Sequence, residues 1–494
     1  MPAHHHASRR NFLRGTAMGS LALLGAHRTE YLHAEEEKQS KSPNEKIAIG
    51  LVGCGGRGGD HLSNFSSRTD AEITYCCDTD ESRAQEAATA IEKKTGKRPK
   101  VETDFRRALE DKSLNCITTA TPNHWHSLVT IWAMQAGKDV YVEKPVSHNV
   151  WEGRQAVNWA RKLGRICQCG TQSRSSPSLK RGVEFVQSGK LGKIQYAIGT
   201  CYKPRPSIGK LDKPLQIPAS IDYDMWCGPA AKVDLYRPKL HYDWHWDFNT
   251  GNGDMGNQGI HQMDIARWYL GEKALSPKIC SIGGRLGYDD AGNTPNTQIV
   301  IHDFEAAPLI FETRGLPKAK LAYKEGMDTY RGSTVGVIVQ CEQGYVVIPS
   351  YSQATAFDND DKVIDKWSGG GDHYANFLSA VRSRQHADLN ADILDGHLSS
   401  ALCHTGAISH MLGKKMTAEE AAAGTKSNPR WSDSFDRMAA HLKANQVDIE
   451  KPSLTVGPWI EMDPVAERFK DNSAANELLT RKYREPYVVP ECPA

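Results

Sequence analysis

The sequence predicts an α/β protein in two halves: a doubly wound parallel sheet, then an α+β domain with a largely antiparallel open sheet. Three observations carry this. Apolar runs alternate with helical stretches from Lys46 to about Gly170. A glycine-rich turn, Gly53-x-Gly55-x-x-Gly58, directly follows the first run. Beyond about Thr171 the apolar runs lengthen, and short polar connections such as Glu342-Gln343-Gly344 suit antiparallel hairpins.

In the first half, Ile47–Val52, Ile73–Cys77, Leu114–Thr119, Val140–Val142 and Arg165–Cys169 read as buried strands. Helices are expected from Arg57 to Ser66 and over Glu81–Lys94, His124–Gln135 and Val150–Leu163. Strands separated by helices imply a parallel sheet covered on both faces. In the second half, a helix near Leu179–Ser188 precedes strands at Ile194–Cys201, Lys278–Leu286, Gln298–Phe304, Leu309–Glu312, Val335–Cys341 and Tyr345–Ile348. A long insertion, Tyr202 to Gly271, rich in Trp, Tyr, His, Gly and Pro, separates the first two of these strands, and long structured loops usually carry function. Late helices at His373–Val381 and Ile393–Leu412 are expected to pack back on the first half. The resulting divisions are 46–170, 171–427 and a wrapping extension, 428–494.

The 494 residues suffice for two or three cores, and 39% hydrophobic with 24% charged content is that of an ordinary globular protein. A net charge of +2 with interspersed signs gives no footprint for nucleic acid, so none is expected as a partner. Residues 1–34 read as a twin-arginine signal peptide, with Ser8-Arg9-Arg10-Asn11-Phe12-Leu13-Arg14 before a short apolar run from Gly15 to Ala26; 35–45 read as a linker. The apolar run is too short for an ordinary transmembrane helix, so no stable span is expected after signal removal. The location implied is periplasmic or extracellular. Six of the twelve cysteines, Cys54, Cys76, Cys77, Cys116, Cys167 and Cys169, sit in or beside predicted core strands and are expected to be free thiols. No metal is expected: His4-His5-His6 is too short to argue for one, and His241, His245 and Asp247 lack a firm ligand spacing.

The glycine turn gives the first functional reading. Gly53 permits the tight turn, Gly55 lets backbone approach a pyrophosphate, and Gly58 lets the next helix pack closely, while Gly56 and Arg57 lie where that helix offers free N–H groups to phosphates. Asp78, at the end of the second strand, is placed to bind the adenosine ribose hydroxyls. NAD is therefore the expected cofactor; Arg57 and Arg83 leave room for NADP.

Two segments follow later strands of the same sheet: Thr121-Pro122-Asn123-His124-Trp125-His126 and Tyr141-Val142-Glu143-Lys144-Pro145. Both fall at carboxyl ends of parallel strands, where open α/β sheets bind ligands. Lys144 beside a positively charged nicotinamide would have a lowered pKa and could shuttle the proton of a substrate hydroxyl. A third segment, Gly253 to Asp264, opens a helix on which His261 and Asp264 share a face, so the imidazole could act as acid, base or hydroxyl ligand.

In this order the motifs, the glycine turn, Thr121-Pro122-Asn123-x-x-His126, Glu143-Lys144-Pro145 and His261-x-x-Asp264, resemble the glucose–fructose oxidoreductase / inositol dehydrogenase / rhizopine catabolism (Gfo/Idh/MocA) family, in its secreted bacterial branch. The resemblance runs from about Glu45 to Leu412. It implies a Rossmann domain, a C-terminal α/β domain whose open sheet makes homo-oligomer contacts, and a sugar, polyol or related substrate. It also implies that Lys144 and His261 are catalytic, that Thr121, Pro122, Asn123, His126, Glu143 and Pro145 shape the cofactor pocket, and that Gln172 lies near the nicotinamide or substrate. Many members carry Asp four residues before the histidine, where this chain has Asn257. Asn takes no proton, so Asp254 or Asp264 would substitute in a relay, or Asn257 would orient substrate. Tyr202, Trp244, His245 and Trp246 are candidates for contacting the sugar, and Arg174 and Arg267 for an acidic substituent.

Three activities are compatible with these features. The first is oxidation or reduction of a carbohydrate CH–OH group with tightly held NAD. The second is glycoside cleavage through transient oxidation and elimination. The third is carbohydrate binding without catalysis.

Overall fold

A computed structural model describes residues 46–425 and 429–493. The predicted signal peptide and linker lie outside them. The first sheet is built from β1 (Ile47–Val52), β2 (Ala71–Cys77), β3 (Lys100–Glu102), β4 (Cys116–Thr119), β5 (Asp139–Val142) and β6 (Cys167–Cys169). Its order is β3-β2-β1-β4-β5-β6 with every pairing parallel. This is the doubly wound arrangement whose order reverses between β1 and β4, so a ligand crevice opens at the carboxyl ends of those two strands. Helices α1 (Arg57–Ser66), α2 (Glu81–Thr95), α3 (Phe105–Leu109), α4 (Asn123–Gln135) and α5 (Val150–Lys162) join the strands. Local chemistry sets their ends. The Asp80 side chain caps α2 by accepting from the Ser82 amide, and Gly96 ends it at φ 76°. β3 has no apolar run to announce it; its pairing with β2 alone makes it a strand.

The second half opens with α6 (Pro177–Gln187) and β7 (Ile194–Tyr202). The insertion contributes α7 (Tyr223–Cys227) and leads into α8 (Ile260–Leu270). Strands β8 (Lys278–Gly284), β9 (Thr297–His302), β10 (Leu309–Arg314), β11 (Val335–Cys341), β12 (Gly344–Ser350), β13 (Gln353–Asp358) and β14 (Val363–Ser368) join a sheet ordered β14-β13-β12-β11-β7-β10-β9-β8, which continues beyond β8 through Leu454–Val456 to Lys414–Met416. The β7–β10 pairing is parallel and the others along this path are antiparallel. The hairpin β13–β14 was not expected: exposed polar positions in Val363–Ser368 hide its alternation.

Helix α9 (His373–Ser383) returns to the first domain, where Tyr374, Phe377 and Leu378 pack with Ile49, Phe65 and Tyr141. Helix α10 (Ile393–Met411) lies between α5 and β8. The inner face of the second sheet buries Phe311, Val337 and Val339 against Met263 and Ala266 of α8. Over β7 to β10 its outer face is covered by the chain itself. After α11 (Ala418–Thr425), helix α12 (Pro429–Ala444) lays Trp431, Phe435, Met438 and Leu442 on Ile198, Ile282, Ile299 and Ile310. The face through which resemblance implied oligomer contacts is therefore occupied over these strands by α12. All twelve cysteines are unpaired and eleven are buried. No helix among the described residues is long and apolar enough to cross a membrane.

Candidate active site

The glycine turn is shaped by close approaches. Gly53 adopts φ 84°, and a Cβ there would lie 2.8 Å from the Thr121 amide nitrogen. A Cβ on Gly58 would run into the Gly53 carbonyl oxygen, and one on Gly55 into the Arg83 guanidinium. The Cys54 and Asp80 amides donate to opposite oxygens of Asp78, at 2.8 and 3.0 Å. Burial raises the Asp78 carboxyl pKa against the pull of these two amides. Helix α1 starts at Arg57; the Gly58 and Gly59 amides are taken by the Gly55 and Gly56 carbonyls at 2.8 and 3.0 Å, while Gly55, Gly56 and Arg57 line the crevice.

A cavity of about 330 Å³ extends from this turn. Asp78, Arg83, Phe105 and Trp125 line one end; Asn123, Glu143, Lys144 and Asn257 line the other. Asn123 Oδ1 is buried without a hydrogen-bond partner among the described residues. The insertion forms a roof through Met225, Trp226, His241, Tyr242 and Trp244. It is stitched to the first sheet: the Asp222 amide donates to Thr79 O at 2.9 Å, the Glu81 amide to Ser220 O at 3.0 Å, and His241 Nε2 lies 3.1 Å from Asp80 Oδ2. The C-terminal extension straps the roof down. Arg484 reaches Asp224 Oδ1 at 2.8 Å and Gly228 O at 3.1 Å, and Arg481 reaches Asn249 O at 2.8 Å.

A cofactor of the predicted kind fits the donor set. Asp78 would take the ribose hydroxyls, the Gly55–Arg57 amides the pyrophosphate, and Thr121, Pro122 and Asn123 would border the nicotinamide end. His126 joins this loop to the lysine segment, with Nε2 2.7 Å from Thr121 O and Nδ1 2.5 Å from Pro145 O.

Glu143 is 3% exposed and is a hub. It accepts from Arg57 Nε at 2.9 Å and Gln172 Nε2 at 3.3 Å, and lies 3.1 Å from His61 Nε2. Burial would raise its pKa, but the His61 hydrogen bond and the Arg57 charge outweigh this and hold it well below the usual carboxylate range. His61 Nδ1 is in turn 2.6 Å from Thr118 Oγ1. The sequence reading missed His61, although it stands one helical turn beyond Arg57 on the same face.

The next residue carries the candidate chemistry. Lys144 Nζ donates to Asn257 O at 2.7 Å. Burial lowers its pKa from the ordinary lysine value, with Glu143 opposing. Asn257 lies in a π-helical turn, Met255–Gly259, that leads into α8; such turns are frequent at functional sites. His261, one turn on, is 6% exposed, with Nδ1 buried and unpartnered among the described residues. Burial and then the Lys144 charge push it down to about 3, so the imidazole is neutral at pH 7. Tyr351, on the β12–β13 turn, lies against it with ring centroids 4.7 Å apart and accepts from Gln258 Nε2 at 2.8 Å. Tyr351 was not anticipated, because a turn tyrosine far along the chain carries no local signal.

Several expected residues lie elsewhere. Asp264 is fully buried and accepts from Arg174 Nε at 2.8 Å and Ser399 Oγ at 2.6 Å. Arg267 bonds Asp395 Oδ1 at 2.9 Å and Glu272 O at 2.7 Å. The two arginines and Asp264 are thus committed to an ion network between α8 and α10 and are not among the cavity-lining residues. Tyr202 points to the other face of the sheet, where its hydroxyl donates to Glu312, which also holds Arg437 of α12. Trp244 lines the cavity, whereas His245 and Trp246 are buried behind it. Asp254 is fully buried; it takes both arms of Arg205 at 2.9 and 2.7 Å and meets Asn257 Nδ2 at 3.3 Å.

Residues 47–171 match the family described as an oxidoreductase family with NAD-binding Rossmann fold, and residues 193–430 match its C-terminal alpha/beta domain. Among curated relatives, a glycosyl hydrolase family 109 protein of Shewanella sp. is 28% identical over 178 residues, 33% of this chain and 39% of that protein. One of Solibacter usitatus is 30% identical over 169 residues, 32% and 38% of the two. The chain spans well under two thirds of the length of these relatives. Among solved structures, the WlbA dehydrogenase from Bordetella pertussis in complex with NADH and UDP-GlcNAcA aligns with a TM-score of 0.53 at 19% identity, over 72% of this chain and 94% of that one. An oxidoreductase domain protein from Kribbella flavida gives 0.53 at 17%, over 74% and 96%. At these identities the structures share the fold. With the family's NAD-binding domain and C-terminal domain matched in order, the chain belongs to the Gfo/Idh/MocA oxidoreductases.

Proposed function

We propose that this protein is an exported NAD-dependent enzyme that oxidises or reduces a CH–OH carbon of a sugar or polyol. The observation that carries this is the hydrogen bond, 2.7 Å, from Lys144 Nζ to the main-chain carbonyl of Asn257, one helical turn before His261, at the end of a cavity that begins at a dinucleotide-type glycine turn. Bound NAD supplies a reversible hydride acceptor there. Lys144, lowered by burial, takes the hydroxyl proton as its neutral amine and returns it as the ammonium. His261 stays neutral and orients the substrate hydroxyl. The Asn257 side chain cannot relay a proton, and the main-chain carbonyl of Asn257 holds the lysine amine in place. Export rests on the twin-arginine segment, and a reporter fused behind residues 1–34 tests it: loss of translocation on replacing Arg9 and Arg10 by lysine is the expected result.

The roof favours a second reading, redox-neutral glycoside cleavage. A cofactor strapped under the insertion exchanges poorly, which suits a cycle that leaves it unchanged, and the family 109 relatives bear a hydrolase name. In that cycle a ring hydroxyl is oxidised to the ketone, which acidifies the neighbouring C–H. Loss of that proton expels the glycosidic group, water adds, and reduction restores the alcohol.

One experiment separates the two. Purified protein is incubated with a panel of 4-nitrophenyl glycosides and with free sugars while 340 nm absorbance and nitrophenol release are followed. Ketone formed in step with NADH supports the first reading, and nitrophenol with no net NADH supports the second. Absence of nucleotide from denatured protein, with no binding on addition, would overturn both.

A further inference from the structure

His241, Tyr242 and Asp243 form a tight turn in the roof. Tyr242 stands at φ 65° and ψ −50°, and the Asp243 amide donates to His241 O at 2.8 Å. This is a γ-turn of the positive-φ kind, rare and strained, and for a bulky aromatic residue an outlier. Such strain persists only where the surroundings over-determine it, and it concentrates at ligand clamps and active sites.

Three contacts hold the turn. His241 Nε2 is 3.1 Å from Asp80 Oδ2, His245 Nδ1 is 2.5 Å from Tyr242 O, and Arg205 Nη1 donates to Tyr242 Oη at 2.9 Å. Arg205 is itself clamped on Asp254, a carboxylate with no exposed surface. Asp254 also meets the Asn257 amide, and the Asn257 carbonyl takes Lys144. Hydrogen bonds therefore run from the roof to the Asn257 side chain, and the main-chain carbonyl of that same residue accepts from the candidate proton carrier. Tyr242 remains 55% exposed and lines the cavity. Because Arg205 already donates into its oxygen, the phenol's own proton is left for an acceptor.

We propose that Tyr242 is a ligand-contacting residue that donates a hydrogen bond to an oxygen of the carbohydrate, with Arg205 and Asp254 as its positioning residues. This rests on the carbohydrate reading above. From the Tyr242 hydroxyl itself the hydrogen bonds lead through Arg205 and Asp254 to Asn257, at the reacting end of the cavity, while the neighbouring His241 anchors the turn at Asp80. The partner chemistry is an oxygen acceptor: a hydroxyl, a ring or glycosidic oxygen, or a carboxylate.

Tyr242→Phe removes the donor and keeps the ring. In NAD-loaded full-length protein it is expected to raise KM for the best-turned-over 4-nitrophenyl glycoside or free sugar roughly tenfold, with kcat within about twofold and NAD affinity unchanged. Tyr242→Gly relieves the strained φ and is expected to keep or raise Tm while losing the same binding. An unchanged KM in Tyr242→Phe overturns the proposal. So does a parallel fall in NAD affinity, which would put Tyr242 on the cofactor, or a fall in Tm in Tyr242→Gly with KM unaffected, which would make the turn structural. If wild type turns nothing over, the functional reading fails separately, and saturation-transfer NMR with D-glucose, D-galactose and D-glucuronate decides the residue. A wild-type signal lost in Tyr242→Phe supports the contact; a signal that survives the substitution, or none in wild type, overturns it.

Discussion

The two ends of the cavity are built by different means. The ribose and pyrophosphate end is made of backbone: a turn in which Gly53 and Gly58 permit contacts no side chain would tolerate, and amides that aim Asp78. The lysine end is made of residues from remote segments: Asn123 in α4, Glu143 and Lys144 after β5, and Asn257 before α8; His261 and Tyr351, packed on each other, are not among its lining residues. Backbone construction is unforgiving and local. Side-chain construction is tunable and depends on the whole fold. Substitutions should therefore separate the ends cleanly.

The sharpest separation is expected at Lys144. Lys144→Ala should cut kcat by about 10³-fold while NAD affinity, read by fluorescence titration, stays within a few-fold; a matched loss of both would merge the ends. Gly58→Ala should do the converse. Its added methyl meets the Gly53 carbonyl, and we expect NAD affinity to fall roughly 10²-fold with the sugar pocket intact, as monosaccharide binding would report. Asp264→Ala belongs to neither end. It removes one of the two carboxylates that neutralise Arg174, leaving Asp395 at 3.2 Å, and should cost about 3 kcal/mol of stability in denaturant titration, whereas a loss confined to turnover at unchanged stability would return Asp264 to the active site.

Two smaller effects concern pH. Lys144 is lowered by burial, so kcat/KM for oxidation should rise with pH along a limb whose midpoint lies below the ordinary lysine value of 10.5, and rise further than any histidine limb, since His261 stays neutral down to about 3. A midpoint near 6.5 would instead assign the proton transfer to an unshifted imidazole. The second effect is on stability. Burial pushes His124, His302 and His404 down to about 3, and His373 to about 4. The unfolded chain binds these protons first, so stability is complete above pH 6.5 and falls as pH drops towards 4, by about 1.4 kcal/mol per pH unit for each group. Tm measured from pH 7 to pH 5 checks the sign.

What could be read from the sequence follows the same division. Gly53-x-Gly55-x-x-Gly58 and Asp78 are local patterns, and the structure brings them together as the spacing predicts. The five apolar strands of the first sheet were legible because burial on both faces leaves an unbroken apolar run; β3, three residues long with two of them charged, was not. At the other end, Arg174 and Arg267 look like ligand contacts in sequence, because nothing local shows that Asp264 and Asp395 neutralise them from within. Tyr202 was avoidable. Ala197 and Cys201 face the inner core, so strand alternation turns Tyr202 outward, towards Glu312 and α12. Arg205, Asp254 and Tyr242 were out of reach, since their spacing of 37 and 49 residues has meaning only once the insertion has folded.

The strap has a consequence for how the molecule comes into being. Arg481, Tyr483 and Arg484 emerge from the ribosome after every residue of the cavity, and they hold the roof at Asn249 and Asp224 while reaching Glu152 of α5. Biosynthesis therefore fastens the roof last, after every residue that lines the cavity has been made.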